Sequence, residues 1–135
     1  MTEKTPAPRR KTAAAPKASV EAAAKAAPKA AAKAVSATPD FSVVVPVFDE
    51  GGAAPALARE IAGAFKGANF EMVFVNDASR DNTLELLKSL KTELPMLRVL
   101  SHHKNSGQSR SIRTGILAAR APIVITLDGD GQNDP

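Results

Sequence analysis

Four short apolar runs, separated by stretches of helical periodicity, constrain this chain more than any other feature. They are FSVVVP (41–46), FEMVFVN (70–76), LRVL (97–100) and APIVITL (121–127). The first, FSVVVP, is β-branched and apolar on both sides, as a strand buried on two faces of a parallel sheet must be. Between the runs, Leu57, Ile61 and Phe65 recur every fourth residue, with Gly67 as a stop signal. Leu86 or Leu87, Leu90 and Leu94 mark a second helix, capped by Asp81 or Asn82 and ended by Pro95. Ile112, Ile116 and Ala119 give a third helix its apolar face. Strands joined by single helices predict right-handed crossovers and an α/β fold with a mostly parallel, Rossmann-like sheet.

That pattern begins only at Asp40. Residues 1–39 are almost entirely Ala, Lys, Pro, Thr and Ser, with Val20 and Val35 the main large apolar side chains. Such a segment buries too little surface to offset the entropy of ordering and is expected to be a disordered tail. VEAAAKAA, with Glu21 and Lys25 at i,i+4, forms at most a transient helix, since Pro16, Pro28 and Pro39 interrupt anything longer. The tail carries a net charge of +6 against +4 for the whole chain, leaving −2 for residues 40–135. The basic character therefore belongs to the tail, which in electrostatic terms suits an anionic membrane surface or nucleic acid. No aromatic residue interleaves with its lysines, which argues against a single-strand-binding platform. Arg9-Arg10 has no apolar stretch after it, so it does not read as an export signal. Cysteine is absent, which removes disulfides and thiolate zinc sites. No run is long enough to span a bilayer.

The acidic residues fall at informative places. Asp49 and Glu50 follow the first strand, Asp77 the second, and Asp128 and Asp130 the fourth. All lie at carboxyl ends of strands, the edge where open α/β sheets bind ligands. Carboxylates from three strands repel one another unless a cation or a donor-rich ligand sits among them. A strand tip ending in D-x-D offers hard oxygen ligands, which suit Mg²⁺ or Mn²⁺ better than zinc.

Several ligand classes lack their signatures. There is no G-x-G-x-x-G after the first strand and no G-x-x-x-x-G-K-[ST]. A calcium loop needs a preceding helix and a twelfth ligand, which would fall beyond Pro135. A haloacid-dehalogenase-like phosphatase would use Asp128 as nucleophile and Asp130 as general acid. That motif normally opens its fold and continues with Thr or Val, and the reading gives Asp77 and the FDE turn no task. A non-catalytic binding module with a basic contacting tail is the third alternative.

PVFDE, VNDASRDNT, NSGQSRSIRTG and LDGDGQNDP, in this order and spacing, resemble the family-2 glycosyltransferases with the GT-A fold. The closest likeness is to polyprenyl-phosphate sugar transferases, including dolichol-phosphate mannose synthases. The resemblance covers residues 41–135 and implies an inverting, metal-dependent transferase using a UDP- or GDP-sugar donor and a lipid-phosphate acceptor. It implies that Pro46, Phe48 and Glu50 hold the base and ribose and that Asp77 accepts from a base N–H. Asp128 and Asp130 would serve the ribose and a divalent cation, Mg²⁺ or Mn²⁺, bridging the diphosphate, with Gln132 a further candidate ligand. Backbone N–H groups near Gly107 would assist at the anionic end, and Arg110 and Arg113 are read as solvated. It also implies a cytoplasmic protein, peripheral at the inner face of the cytoplasmic membrane.

The sequence departs from the common pattern at Phe48, where Tyr is frequent, at Asn76, where Asp is common, and at Asp49, where Asn is usual. His102 and His103 adjoin the third strand and are expected to be surface or edge residues, since neighbours on a strand point to opposite faces. The family's acceptor-binding residues and general base lie downstream of its D-x-D. Residues 40–135 are accordingly expected to be the nucleotide-sugar-binding part of a truncated domain, with an open sheet edge and an uncovered apolar surface.

Overall fold

The computed structural model describes residues 38–132 and 135. The expected tail, with its transient helix, lies outside the described residues up to position 37. Among the described residues four strands and three helices alternate: β1 (Phe41–Val47), α1 (Ala54–Ala64), β2 (Phe70–Asn76), α2 (Thr83–Leu90), β3 (Leu97–Ser101), α3 (Gln108–Ala118) and β4 (Ile123–Thr126). The sheet is parallel throughout, in the order β3-β2-β1-β4. It is the α/β architecture expected from the sequence.

The topology follows from the crossovers. From β1 to β3 the chain steps steadily in one direction, so right-handed connections place α1 and α2 on one face. After β3 it returns to the far side of β1, and α3 must lie on the other face. Alternation along the strands serves both layers. Val43, Val45, Val47, Met72 and Phe74 pack with Leu57 and Ile61 of α1 and Leu87 and Leu90 of α2. Val44, Val73 and Val75 form the second layer with Ala118 and Val124. Phe41, Phe65 and Phe70, with ring centroids 4.9 to 5.5 Å apart, close the amino edge of the first layer.

The third helix departs from expectation. Its buried residues are Ser111 and Gly115, not the expected Ile112, Ile116 and Ala119. Ile116 is 44% exposed and Leu117 70% exposed. The reason is steric. A Cβ on Gly115 would meet Val44 Cγ1 at 2.3 Å and Val75 Cγ2 at 3.2 Å, so this helix lies flush on the sheet through its smallest residues. Ile123, on edge strand β4, is also exposed, so among the described residues the sheet has an open edge and an uncovered apolar surface.

A buried carboxylate fastens the amino edge. Glu71 Oε1 accepts from Ser42 Oγ at 2.7 Å and from the Arg120 N–H at 2.6 Å. Its Oε2 accepts from Arg98 Nη1 and Arg120 Nε, each at 3.0 Å. Arg98 Nη1 also donates to Ala118 O at 2.8 Å, bringing the end of α3 into the network. Burial by itself would raise the Glu71 carboxyl. The Arg120 N–H, the Ser42 hydroxyl and the two guanidinium groups outweigh it and bring it down to about 2. Among the described residues, no buried side-chain polar atom lacks a partner.

Two predictions test this frame. Because the folded carboxyl titrates below its ordinary value of 4.5, its stabilisation is complete above that pH and is lost as pH falls toward 2. Urea unfolding followed by circular dichroism should show that loss, and Glu71→Gln should flatten it. Gly115→Ala should destabilise the domain by about 1–3 kcal/mol through overpacking against Val44, read as a lower urea midpoint at unchanged slope.

Candidate functional site

The return from β3 to β4 makes a topological switch point at the carboxyl edge between β1 and β4, where crevices in open α/β sheets form. A cleft of about 390 Å³ lies there, within the range of small-molecule sites. Pro46, Val47, Phe48 and Glu50 line it from the end of β1, and Asp77 from the end of β2. Asn105, Gly107, Gln108 and Ser111 come from the start of α3, and Asp128, Gly129 and Asp130 from the end of β4. Six of the seven residues expected to bind nucleotide or metal are thus brought together. Gln132 lies outside the lining and is exposed; its backbone N–H donates to Asp130 Oδ1 at 3.0 Å.

The wall from β1 is braced by the neighbouring loop. Asp49 has φ 53°, in the left-handed region that Asp tolerates better than most residues. This turns its side chain away from the cleft and onto the β2–α2 connection. There it accepts from Arg80 N at 2.6 Å, Arg80 Nη2 at 2.8 Å and Arg80 Nε at 3.1 Å, while its own N–H donates to Ser79 Oγ at 3.0 Å. The Arg80 side chain, helped by its N–H, holds the Asp49 carboxyl below the usual range. Arg80 also reaches over the Phe48 ring, 5.5 Å from its centroid. Asp81 Oδ2 accepts from Gly51 N at 3.0 Å, and its Oδ1 accepts from both the hydroxyl and the N–H of Thr83 at the start of α2. Of the two caps expected for that helix, Asp81 supplies the bonds, and Asn82 makes no side-chain cap bond. Asp49 therefore serves as a brace between loops, apart from the cluster it was expected to join.

Asp77 forms the floor on the other side. It is 3% exposed, yet both of its carboxylate oxygens have partners. Oδ1 accepts from Ser106 N at 2.8 Å and lies 2.7 Å from His102 Nδ1, and Oδ2 accepts from Gly107 N at 2.7 Å. Burial opposes ionisation, but the His102 bond and the Ser106 and Gly107 N–H groups hold the carboxyl below its ordinary value. Two donors expected to face an external anion at the start of α3 are thus occupied by this internal one. His102 follows the edge strand β3, as an edge residue should, but its ring is half-buried, with Nε2 2.9 Å from Thr114 Oγ1; His103 is exposed. The Asp77 carboxylate, one strand over, draws the ring inward.

The D-x-D turn sits against β1. A Cβ on Gly129 would lie 2.3 Å from Pro46 O and 2.7 Å from Val47 Cγ1, so the intervening residue is pressed on the neighbouring backbone while the two aspartates stay exposed. Asp128 Oδ1 accepts from Gln108 Nε2 at 2.6 Å, joining the β4 tip to the start of α3. Gln108 escaped the sequence reading, although its place just after the NSG turn marked it as the first residue of a helix. No group of three or more His, Cys, Asp or Glu able to hold a metal occurs among the described residues. Two exposed carboxylates nevertheless fit Mg²⁺ or Mn²⁺, because such ions commonly take one or two protein carboxylates and complete their shell with phosphate oxygens and water.

Comparison with known proteins decides the affiliation of this cleft. The pattern described as glycosyl transferase family 2 matches residues 42–135. The chain belongs to glycosyl transferase family 2. Among curated members, the undecaprenyl-phosphate 4-deoxy-4-formamido-L-arabinose transferase of Pseudomonas savastanoi pv. phaseolicola is 38% identical over 98 residues, covering 70% of this chain and 29% of that protein. The dodecaprenyl-phosphate galacturonate synthase of Rhizobium johnstonii is 35% identical over 99 residues, 71% of this chain and 29% of that protein. The chain thus spans less than a third of the length of these family-2 relatives. Among solved structures, S. aureus TarS 1-349 in complex with UDP matches at TM-score 0.61 and 29% identity, over 67% of this chain and 27% of that one. The mannosyltransferase PcManGT from Pyrobaculum calidifontis, in complex with GDP-Man and Mn²⁺, matches at TM-score 0.61 and 22% identity over 70% of this chain and 28% of that one, a likeness of fold. These neighbours agree with the GT-A, Rossmann-like sheet described above. Among the described residues, no helix is long and apolar enough to cross a membrane.

The loop brace is testable without a ligand. Asp81→Ala removes the cap at the start of α2 together with the bond to Gly51, and stability should fall by about 1 kcal/mol, measured by urea denaturation.

Proposed function

We propose that the cleft binds the nucleotide part of a sugar donor and that the protein serves transfer of the sugar to a polyprenyl phosphate. The observation that carries this reading is the switch-point cleft of a family-2 fold, with Asp77 on one side and Asp128 and Asp130 on the other. Pro46, Phe48 and Glu50 hold the base and ribose, Phe48 offering an aromatic surface. Asp77 Oδ2, which accepts one intramolecular bond, keeps acceptor capacity for a base N–H. Asp128 and Asp130 hold Mg²⁺ or Mn²⁺, with Gln132 as a further candidate ligand. When bound, the ion neutralises charge on the departing nucleoside diphosphate.

The chain's own residues supply the rest of the arrangement. Gln108 orients Asp128 by donating to Oδ1, and Gly129 allows the β4 tip to close on Pro46. The names of the Pseudomonas and Rhizobium relatives support a polyprenyl-phosphate acceptor, and the complexes of the solved neighbours support a UDP- or GDP-sugar donor. Such an acceptor places the reaction at a membrane surface, and a peripheral position at the inner face of the cytoplasmic membrane suits a basic tail.

Isothermal titration calorimetry of the full chain with UDP and with GDP, each with and without Mn²⁺, tests the reading. One nucleotide should bind, and Mn²⁺ should tighten it at least tenfold, about 1.4 kcal/mol. Asp128→Asn/Asp130→Asn should abolish that gain. Binding of neither nucleotide by a folded chain would reject the donor site.

A further inference from the structure

His102 follows β3 directly and is not part of the cleft lining. Its ring is nevertheless held at both nitrogens, by Asp77 Oδ1 at 2.7 Å and Thr114 Oγ1 at 2.9 Å. An ionised carboxylate only accepts, so the proton in the first bond resides on Nδ1. The second ring nitrogen, Nε2, pairs with the Thr114 hydroxyl. Asp77 is buried beneath the cleft, where an ionised group persists only with a full set of donors. Two of these are the Ser106 and Gly107 N–H groups, and the third is His102.

The consequence concerns the polarity of Asp77. Ionised, it presents an acceptor to the cleft. Deprived of one donor while still buried, it is driven toward the protonated form, whose hydroxyl donates instead and meets a ligand N–H unfavourably. We propose that His102 is a positioning residue for nucleotide binding: its Nδ1–H keeps Asp77 oriented and accepting, and its bond to Thr114 ties α3 to the same carboxylate. This rests on the nucleotide-donor reading of the cleft.

The test titrates the full chain, with Mn²⁺, against the nucleotide that the unaltered protein binds, comparing it with His102→Leu and His102→Asn. The asparagine amide N–H can occupy the place of Nδ1–H, whereas leucine offers no donor. His102→Leu should weaken binding about tenfold, as loss of a hydrogen bond to a charged group does. His102→Asn should stay within about threefold of the unaltered protein. Equal affinity for the leucine variant, or an asparagine variant as weak as leucine, would overturn the assignment. Should the leucine variant not fold, His102→Gln takes its place: its amide reaches toward Nε2 rather than Nδ1, so the same loss is expected and full affinity overturns the proposal.

The lock itself is read separately, without nucleotide, from the Ser106 and Gly107 amide resonances in a ¹⁵N correlation spectrum. They should move in the donor-lacking variant and return toward their original positions in His102→Asn. Failure of the unaltered protein to bind any nucleotide would reject the donor reading. Unmoved amide signals would reject the lock whichever way that experiment falls.

Discussion

Helix α3 owes its place to two buried carboxylates, Glu71 within β2 and Asp77 directly after it. Its contact face is poor in apolar surface, since Ser111 and Gly115 are the residues it buries. Glu71 and Asp77 lie six positions apart near opposite ends of β2, hence on the same side of the sheet. Asp77 grips the chain just before the helix through Ser106 and Gly107. Glu71 grips it just after, through Arg120, while Arg98 links that carboxylate to Ala118. Burying two anions is costly, and each is tolerated because donors surround it.

This arrangement explains why the cleft is well formed on one side. The floor is anchored in the central strand pair, because the Asp77 N–H also donates to Val47 O at 2.9 Å and so joins the ends of β1 and β2. The opposite wall hangs from β4, a four-residue strand with β1 as its neighbour in the sheet. The Asp128–Gln108 bond is therefore more than a side-chain contact within the site. It closes the cleft by attaching the free strand tip to the helix that Asp77 already holds.

Much of this was legible in the residues. The runs around Val43 and Met72 announced the central strands because parallel strands buried on both faces need apolar side chains in both directions, and those around Val99 and Ile125 announced the two edge strands. The acidic residues of the site were found because strand ends converge on one edge whatever the detailed packing. The face of α3 was misread for a physical reason. Periodicity identifies a stripe of large apolar residues, whereas close approach of a helix to a sheet selects small ones, and Gly115 has no side chain to announce itself. Likewise, His102 and Glu71 draw their roles from partners 25 and 49 residues away, a separation no local pattern encodes. Asp49 looked like Glu50 in the sequence, and only its left-handed backbone sends it to Arg80 instead of the cleft.

The double grip on α3 also acts as a ruler. Six residues of β2 rise by about 20 Å, and a helix of 11 residues extends about 16–17 Å, so strand and helix match only with the short connections that carry the anchoring groups. One residue added within the helix would rotate everything after it by about 100° and advance it by about 1.5 Å. One of the two carboxylates would then lose its partners. Length variation between the start of α3 and Arg120 is therefore disfavoured by geometry. The segment from Ser106 to Arg120 should be inherited as a block of fixed size even where its exposed side chains drift.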